Sequence, residues 1–411
     1  MKFEDYSIAE DIKKTLVDLG FKRPTDIQHK AIPPILKGDD VLAIAQTGTG
    51  KTAAYVIPVL HILHRKKTSK RAQGIACVVM TPTHELAIQV TNVFKEIGRY
   101  TKVRTFAIYG GVEQDPQIAQ LQKGIDILVA TPGRLFDLRS QGYIDLSKVE
   151  ILVLDEADHM LDMGFIKDIE DLTRYLPKKR QTLFFSATIS KKIKQTAYSL
   201  VRSEAIHIQI SPKDPITKNV HHQVVFVEMD HKRFFLERLI RENEGKKILV
   251  FVRTKIRAER VKNAMERVQI ESLTLHGDKE QKARTAILDQ FKEGKVKVLV
   301  ATDVSARGID IPEVEYVINY DLPEQVENYV HRIGRTGRAQ YRGFAISFCS
   351  TEEQPILKDI EAYIGKKVDA LKIDDFEYQQ TIVLSQEKED DWRALIREVE
   401  ALKEQKKRRK K

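Results

Sequence analysis

Short apolar runs, each followed by a stretch of helical spacing, recur along most of the chain and leave few folds open to it. In the first half the runs are Val41–Ala45, Ile75–Thr81, Arg104–Tyr109, Ile125–Ala130, Ile151–Leu154 and Gln181–Ser186. Between them, segments such as Glu85–Tyr100 place apolar residues every three or four positions. Runs this short and this apolar read as strands buried on both faces. Strands alternating with helices predict an α/β fold with a parallel sheet covered on both sides. The pattern breaks at Ile210-Ser211-Pro212-Lys213-Asp214-Pro215-Ile216-Thr217, where two prolines mark a linker over 209–219. It resumes from Val220, with candidate strands Lys247–Val252, Glu271–Leu275, Val296–Ala301, Val314–Asn319 and Gly343–Phe348. The spacing therefore predicts one domain over 1–208, a second over 220–371, and a short, charged, helical extension over 372–411 with a basic tail. Two domains also suit 411 residues.

Ligands of such sheets bind outside the carboxyl ends of the strands, and two of those ends carry chemistry. After Val41–Ala45 comes Ala45-Gln46-Thr47-Gly48-Thr49-Gly50-Lys51-Thr52. Glycines let backbone approach phosphates closely, Lys51 would reach the β- and γ-phosphates, and the Thr52 hydroxyl would ligate Mg²⁺. The generic pattern begins with Gly where this chain has Ala45. The bland reading is a chance Gly/Thr-rich turn, disfavoured by the strand before it and the helical segment after it. After Ile151–Leu154 comes Asp155-Glu156-Ala157-Asp158. Three carboxylates in four residues at a buried strand end are costly without a cation or donors to offset them. Asp155 would hold Mg²⁺ through water, and Glu156 would orient or deprotonate the attacking water. Together the two motifs describe binding and hydrolysis of a nucleoside triphosphate. Only the first half carries a phosphate loop, so one nucleotide between two similar halves is the expectation.

Composition narrows the setting. No apolar stretch approaches the ~20 residues of a membrane span. The start, Met1-Lys2-Phe3-Glu4-Asp5-Tyr6, is no signal peptide, so a cytoplasmic location is expected. The two cysteines, Cys77 and Cys349, lie in apolar runs of different halves and read as buried free thiols. His221-His222 would point to opposite faces of a strand and has no Cys or His partner nearby, which disfavours a metal site. The formal charge of +10 is largely a tail: Lys403–Lys411 holds seven Lys or Arg and one Glu, and without it the balance is +4. The end of that run, Lys406-Lys407-Arg408-Arg409-Lys410-Lys411, reads equally well as a solubility tail or as an arm for nucleic acid.

Asp155–Asp158, Ser186-Ala187-Thr188 and His331-Arg332-Ile333-Gly334-Arg335-Thr336-Gly337-Arg338, in this order and spacing, resemble the DEAD-box RNA helicase family from about Phe3 to Phe348. The compact chain and Asp162-Met163-Gly164-Phe165 most resemble its bacterial RhlE-like branch. The resemblance implies two tandem RecA-like domains, ATP and Mg²⁺ as cofactors, RNA as partner and ATP-driven local unwinding as the activity. It implies roles for further residues. Phe21-Lys22-Arg23-Pro24-Thr25-Asp26-Ile27-Gln28 looks like the family's adenine-sensing segment, with Gln28 reading the base and Phe3 supporting the pocket beside Phe21. Arg335 and Arg338 match its arginine fingers, a device with rate effects of ~10³–10⁵ in related systems. Arg332 would bridge to the acidic motif, His331 would link to Ser186–Thr188, Asp303 would contact the ribose, and Asp310 would organise the arginines. Asp158, Ser186 and Thr188 would couple the nucleotide to the rest.

An RNA rim is implied at Pro82-Thr83-His84-Glu85-Leu86-Ala87, Gly110-Gly111, Thr131-Pro132-Gly133-Arg134, Arg253-Thr254, His276-Gly277-Asp278 with Gln281 and Arg284, and Thr302. Glycines, hydroxyls, arginines and helix N-termini suit phosphates, and sparse aromatics disfavour base stacking, so binding of single strands or short duplexes through the backbone is expected. His84 departs from the family's usual Arg, which predicts a weaker contact there. Ribosome assembly and RNA turnover are both compatible settings. Two other classes compete: a non-catalytic RNA clamp, against which Lys51, Glu156, Arg335 and Arg338 argue, and a DNA translocase, for which no DNA-reading module is visible.

Overall fold

The computed structural model describes residues 2–46, 48–67, 74–188, 191–210, 219–306, 314–337 and 342–385, leaving aside the side chains of 191 and 192. Expectations placed on Thr47, Asp310, Arg338, most of the proline-rich linker and the basic tail fall outside them. The chain divides into two compact units, with the break between Lys213 and Asp214.

The first unit is built on seven strands: β1 (Val41–Ala45), β2 (Cys77–Met80), β3 (Thr105–Ile108), β4 (Ile127–Ala130), β5 (Ile151–Leu154), β6 (Gln181–Ser186) and β7 (Ile206–Ile210). Their order across the sheet is β3-β4-β2-β5-β6-β1-β7, and every pairing is parallel. The period-two rule of strands splits the apolar runs between two cores. Val41, Ala43, Val79, Val153 and Phe185 face the helices Asp26–Lys37, Lys51–Lys66 and His84–Ile97. Leu42, Ile44, Met80, Leu154 and Phe184 face the helices Pro132–Ser140, Ala157–Asp162 and Ile166–Tyr175.

The second unit repeats the plan with β8 (Val220–Phe226), β9 (Ile248–Val252), β10 (Leu273–Leu275), β11 (Val298–Thr302), β12 (Tyr316–Asn319), β13 (Gly343–Cys349) and β14 (Asp369–Ala370), ordered β10-β11-β9-β12-β13-β8-β14 and again parallel. Cys77 and Cys349 are buried and free.

β7 and β14 were not anticipated, and β8 was expected only as the strand carrying His221-His222. β7 sits at a sheet edge and alternates Ile with His and Gln, so no continuous apolar run announces it, and it continues two residues past the expected domain end at 208. β8 carries His221, His222 and Gln223. The two histidines do take opposite faces: His221 stacks on Phe344, and His222 Nδ1 pairs with the Tyr329 hydroxyl at 3.0 Å. β14 is only two residues long. The second unit also runs past 371. Residues 375–385 are helical, and they dock through Tyr378 on His231 and Phe235 and through Glu377 and Thr381 on Arg238. No described helix is long and apolar enough to cross a membrane.

Candidate nucleotide site and nucleic-acid rim

The phosphate loop leaves the end of β1 and turns into the helix Lys51–Lys66 through Gly48 and Gly50, at φ +80° and +92°. These left-handed angles are cheap only for glycine, and they place backbone N–H groups at a helix N-terminus, where anions bind. Thr49 Oγ1 closes the turn on the Gln46 carbonyl at 2.7 Å. Lys51 is buried, and its Nζ has no hydrogen-bond partner among the described residues. A buried ammonium without a hydrogen bond is costly; the Asp155 charge offsets part of that cost, and an anionic ligand would supply the missing acceptor.

One helical turn after Lys51, the Tyr55 hydroxyl donates to Asp155 Oδ2 at 2.7 Å and lies in hydrogen-bonding reach of Thr52. Tyr55 thus joins the two expected metal-holding residues. Nothing in the motif pattern singled it out, although its i+4 spacing from Lys51 puts it on the same helix face. Burial, and then the neighbouring Glu156 charge, push the Asp155 carboxyl up to about 6 against the pull of Lys51, the Tyr55 hydroxyl and the Glu156 N–H. Burial and the Asp155 charge in turn raise the Tyr55 phenol well above its ordinary value. Glu156 adopts φ 49°, ψ 50°, a strained conformation for a residue with a side chain. A buried lysine ammonium, left-handed loop glycines and the adjacent Asp155 and Glu156 carboxylates are the donor set that a magnesium–nucleotide requires, and these residues fit it.

Gln28 belongs to the same loop. Its Oε1 accepts from Thr25 N at 3.0 Å, completing a helix cap, and its Nε2 donates to the Gly50 carbonyl at 3.2 Å. One N–H of the amide is left for a base. Phe3 is buried and packs edge-on against Phe21, ring centroids 5.9 Å apart.

Asp158 turns away from the loop. Its Oδ2 accepts from Ala187 N, Thr188 N and Thr188 Oγ1 at 3.2, 3.0 and 3.1 Å, while Ser186 Oγ donates to Thr188 O at 2.8 Å. The acidic motif after β5 and the Ser-Ala-Thr segment after β6 are therefore locked together.

The rim of the first unit gathers at the ends of β2, β3 and β4. Pro82 and Thr83 follow β2; Thr83 caps the helix His84–Ile97 by accepting from Leu86 N. The His84 ring lies 5.6 Å from that of Tyr109 and borders Gly110. Gly111 takes φ +73°. Thr131 precedes the helix Pro132–Ser140, where a Cβ on Gly133 would meet open space. Arg134 NH2 donates to Val112 O at 2.8 Å, while its buried NH1 has no hydrogen-bond partner among the described residues.

In the second unit, Thr254 caps the helix Lys255–Arg267, and Arg253 immediately follows β9. Gly277 follows β10 and Thr302 ends β11, its hydroxyl bonded to Ser305 Oγ at 3.3 Å. Arg284 ties these ends by donating to His276 O and Ser305 O at 3.3 and 3.5 Å, and Gln281 is buried beside it at the start of the same helix. Glu259 accepts from His276, Lys279 and Thr274; burial would raise its carboxyl, but these bonds outweigh it and hold the group at about 2.

The family resemblance implies that Arg332 bridges to the acidic motif and that Asp303 contacts a ribose. Here Arg332 is 1% exposed and is engaged within its own unit, with Asp303 at 2.5 and 2.8 Å, Asn319 Oδ1 at 3.2 Å and Asp321 O at 2.6 Å. Arg335 is buried, its Nε donating to the His331 carbonyl at 3.3 Å.

Comparison with known proteins agrees with this geometry. The DEAD/DEAH box helicase family matches residues 25–196, and the helicase conserved C-terminal domain matches residues 231–340. The chain is 41% identical over 377 residues to the ATP-dependent RNA helicase RhlB of Shewanella woodyi, covering 91% of this chain and 85% of that one. It is 40% identical to the DEAD-box ATP-dependent RNA helicase CshA of Bacillus subtilis, over 90% of this chain and 74% of the relative. Among solved structures, S. cerevisiae Dbp5 bound to RNA and ADP BeF3 superposes with a TM-score of 0.82 at 32% identity, covering 93% of this chain and 98% of that chain. The two units are thus tandem RecA-like domains, and the chain belongs to the DEAD-box family of ATP-dependent RNA helicases.

Proposed function

We propose that this protein couples ATP hydrolysis, to ADP and phosphate, to local and sequence-independent remodelling of RNA in the cytoplasm. The observation that carries the reading is the buried Lys51 ammonium, with no hydrogen-bond partner among the described residues, at the mouth of a left-handed glycine loop and one helical turn from the Tyr55–Asp155 pair.

The loop glycines and Lys51 bind the phosphates, and Gln28 selects adenine with its remaining amide hydrogen. Thr52 and Asp155 would hold Mg²⁺, which when bound would neutralise phosphate charge and polarise the phosphoryl oxygens. Glu156 orients water and accepts its proton. Arg335 and Arg338 supply guanidinium charge to the transferring phosphoryl group; a planar fork suits that task better than an ammonium. Asp158, through Thr188 and Ser186, passes the state of the acidic motif to the β6 end, and Asp303 and Asp310 set the arginines. The β-strand ends bearing Thr83, His84, Gly110, Gly111, Thr131–Arg134, Arg253, Thr254, Gly277, Gln281, Arg284 and Thr302 hold the RNA backbone. ATP and RNA binding together draw the domains closed; hydrolysis resets them. Placement in the RhlE-like branch, and work within ribosomal or RNA-turnover assemblies, belong to this proposal.

The test is ATP hydrolysis without nucleic acid, with single-stranded RNA, and with matched DNA, using Glu156→Gln as control. Stimulation by RNA alone, lost in the control, is expected. Equal rates in all three conditions would overturn the coupling. Arg335→Lys should bind ATP nearly normally and turn it over slowly.

A further inference from the structure

Beneath the end of β9 the second unit buries an ion cluster that none of the motifs accounts for. Lys232 is 0% exposed. Its Nζ donates to Tyr320 O at 2.8 Å, to Phe348 O at 3.3 Å and, in a short contact, to Glu353 Oε2. All three ammonium hydrogens are used. Glu353, itself 2% exposed, accepts from Ser350 N at 3.1 Å on the same oxygen. Its other oxygen accepts from Leu322 N and from Arg253 NH2, both at 3.1 Å. Asp321 grips the same arginine from its backbone, accepting from Arg253 N at 3.0 Å, and its Oδ1 lies 2.8 Å from Arg257 Nε.

Arg253 is thereby fixed at the backbone and at one guanidinium nitrogen, NH2 also reaching Leu322 O at 3.3 Å. Its Nε faces the exposed Glu324 at 3.7 Å. NH1 has no partner among the described residues. An exposed arginine would lose side-chain entropy on binding a phosphate. One already clamped by a buried carboxylate has lost most of it. The clamp is expensive to build, because burying Lys232 and Glu353 removes both charges from water. Burial lowers the Lys232 ammonium against the opposing pull of Glu353 and Asp321. A packed apolar pair could support the fold there without that cost.

We propose that Glu353, locked by Lys232, is a positioning residue for RNA: it holds the Arg253 guanidinium so that NH1 points at a backbone phosphate. The inference rests on the reading of Arg253 as an RNA contact.

The experiment measures RNA affinity of the full chain across a salt series for Arg253→Gln, Glu353→Gln and the double variant, with thermal melting recorded alongside. Arg253→Gln should weaken binding by about tenfold and lower the salt slope by about one. Glu353→Gln should weaken binding several-fold and add nothing in the Arg253→Gln background, because it acts through that arginine. Should Glu353→Gln fold poorly, Glu353→Asp keeps the charge and withdraws it from NH2, and the same non-additivity is expected. A Glu353 effect of equal size in both backgrounds, or no effect of Glu353 while Arg253→Gln weakens binding, overturns the positioning role. No effect of Arg253→Gln overturns the RNA contact itself.

Discussion

Thr188 gives both its backbone N–H and its hydroxyl to one oxygen of Asp158, at 3.0 and 3.1 Å. Ala187 N shares that oxygen. Removing the acceptor leaves Ala187 N and the Thr188 hydroxyl without it and Thr188 N with only its 3.4 Å contact to Ser186 Oγ, whereas removing the hydroxyl leaves both N–H groups satisfied. Asp158→Ala should therefore cost about 2–3 kcal/mol and Thr188→Ala about 1 kcal/mol in chemical denaturation. Equal costs would show that the hydroxyl, and not the shared carboxylate, carries the link.

Asp155 makes the stability of the nucleotide-free protein depend on pH. Its folded carboxyl titrates at about 6, above the ordinary value of 3.8. Stability from this group is thus fully present below 3.8 and is lost as pH rises through about 6, by on the order of 3 kcal/mol at most. Asp155→Asn escapes the loss. Without Mg²⁺ and ATP the variant should melt above the wild type at pH 7.5, with the gap closing towards pH 4.5. A gap independent of pH would contradict the raised carboxyl.

Gln28 and Gly50 should behave as one unit. A Cβ added at Gly50 would lie 2.5 Å from Gln28 Nε2, on a backbone already at φ +92°. Gly50→Ala is expected to lower both the melting temperature and ATP affinity. Gln28→Ala loses the capping-box bond that Gln28 accepts from Thr25 N, at about 1 kcal/mol. The double variant should be less unstable than the sum, since the clash is gone while the backbone strain remains. Strict additivity in melting would rule out the contact.

His84 packs on Tyr109 beside Gly110. An arginine there reaches further and is always charged. His84→Arg should tighten RNA binding by about threefold to tenfold and steepen the salt slope by about one. Identical affinity and slope at matched salt would remove this position from the rim.

Lys406–Lys411 can be tested by deletion. Loss of RNA affinity with a shallower salt slope is expected if the tail touches RNA, and an unchanged slope would leave it a solubility tail.

The strands that sequence reasoning located were those with uninterrupted apolar runs, such as Ile151–Leu154, because burial on both faces writes itself into composition. β7 was illegible, and β8 was legible only at its histidine pair, for the opposite reason: their partly exposed positions admit His and Gln. Lys51, Asp155 and Glu156 could be proposed from the sequence because phosphate and magnesium chemistry demands fixed residue types at fixed spacing. Their supports were not. Tyr55, Asp321 and Glu353 act from 100, 68 and 100 residues away in sequence on Asp155 and Arg253, and only folding brings them near. Arg332 was noticed, yet its partners Asp303 and Asn319 come from other strand ends, which no motif pairs with it. The branch within the family was the least legible. Relatives with different names match at 37–41% identity, so the shared core does not separate them.

Glu156 sits in a left-handed conformation that glycine adopts at no cost. Glycine at that position would relax the backbone and remove a carboxylate from beside Asp155. A stabilisation campaign scored on melting alone would therefore choose this residue early, and under the role proposed for Glu156 each success would be an inert protein.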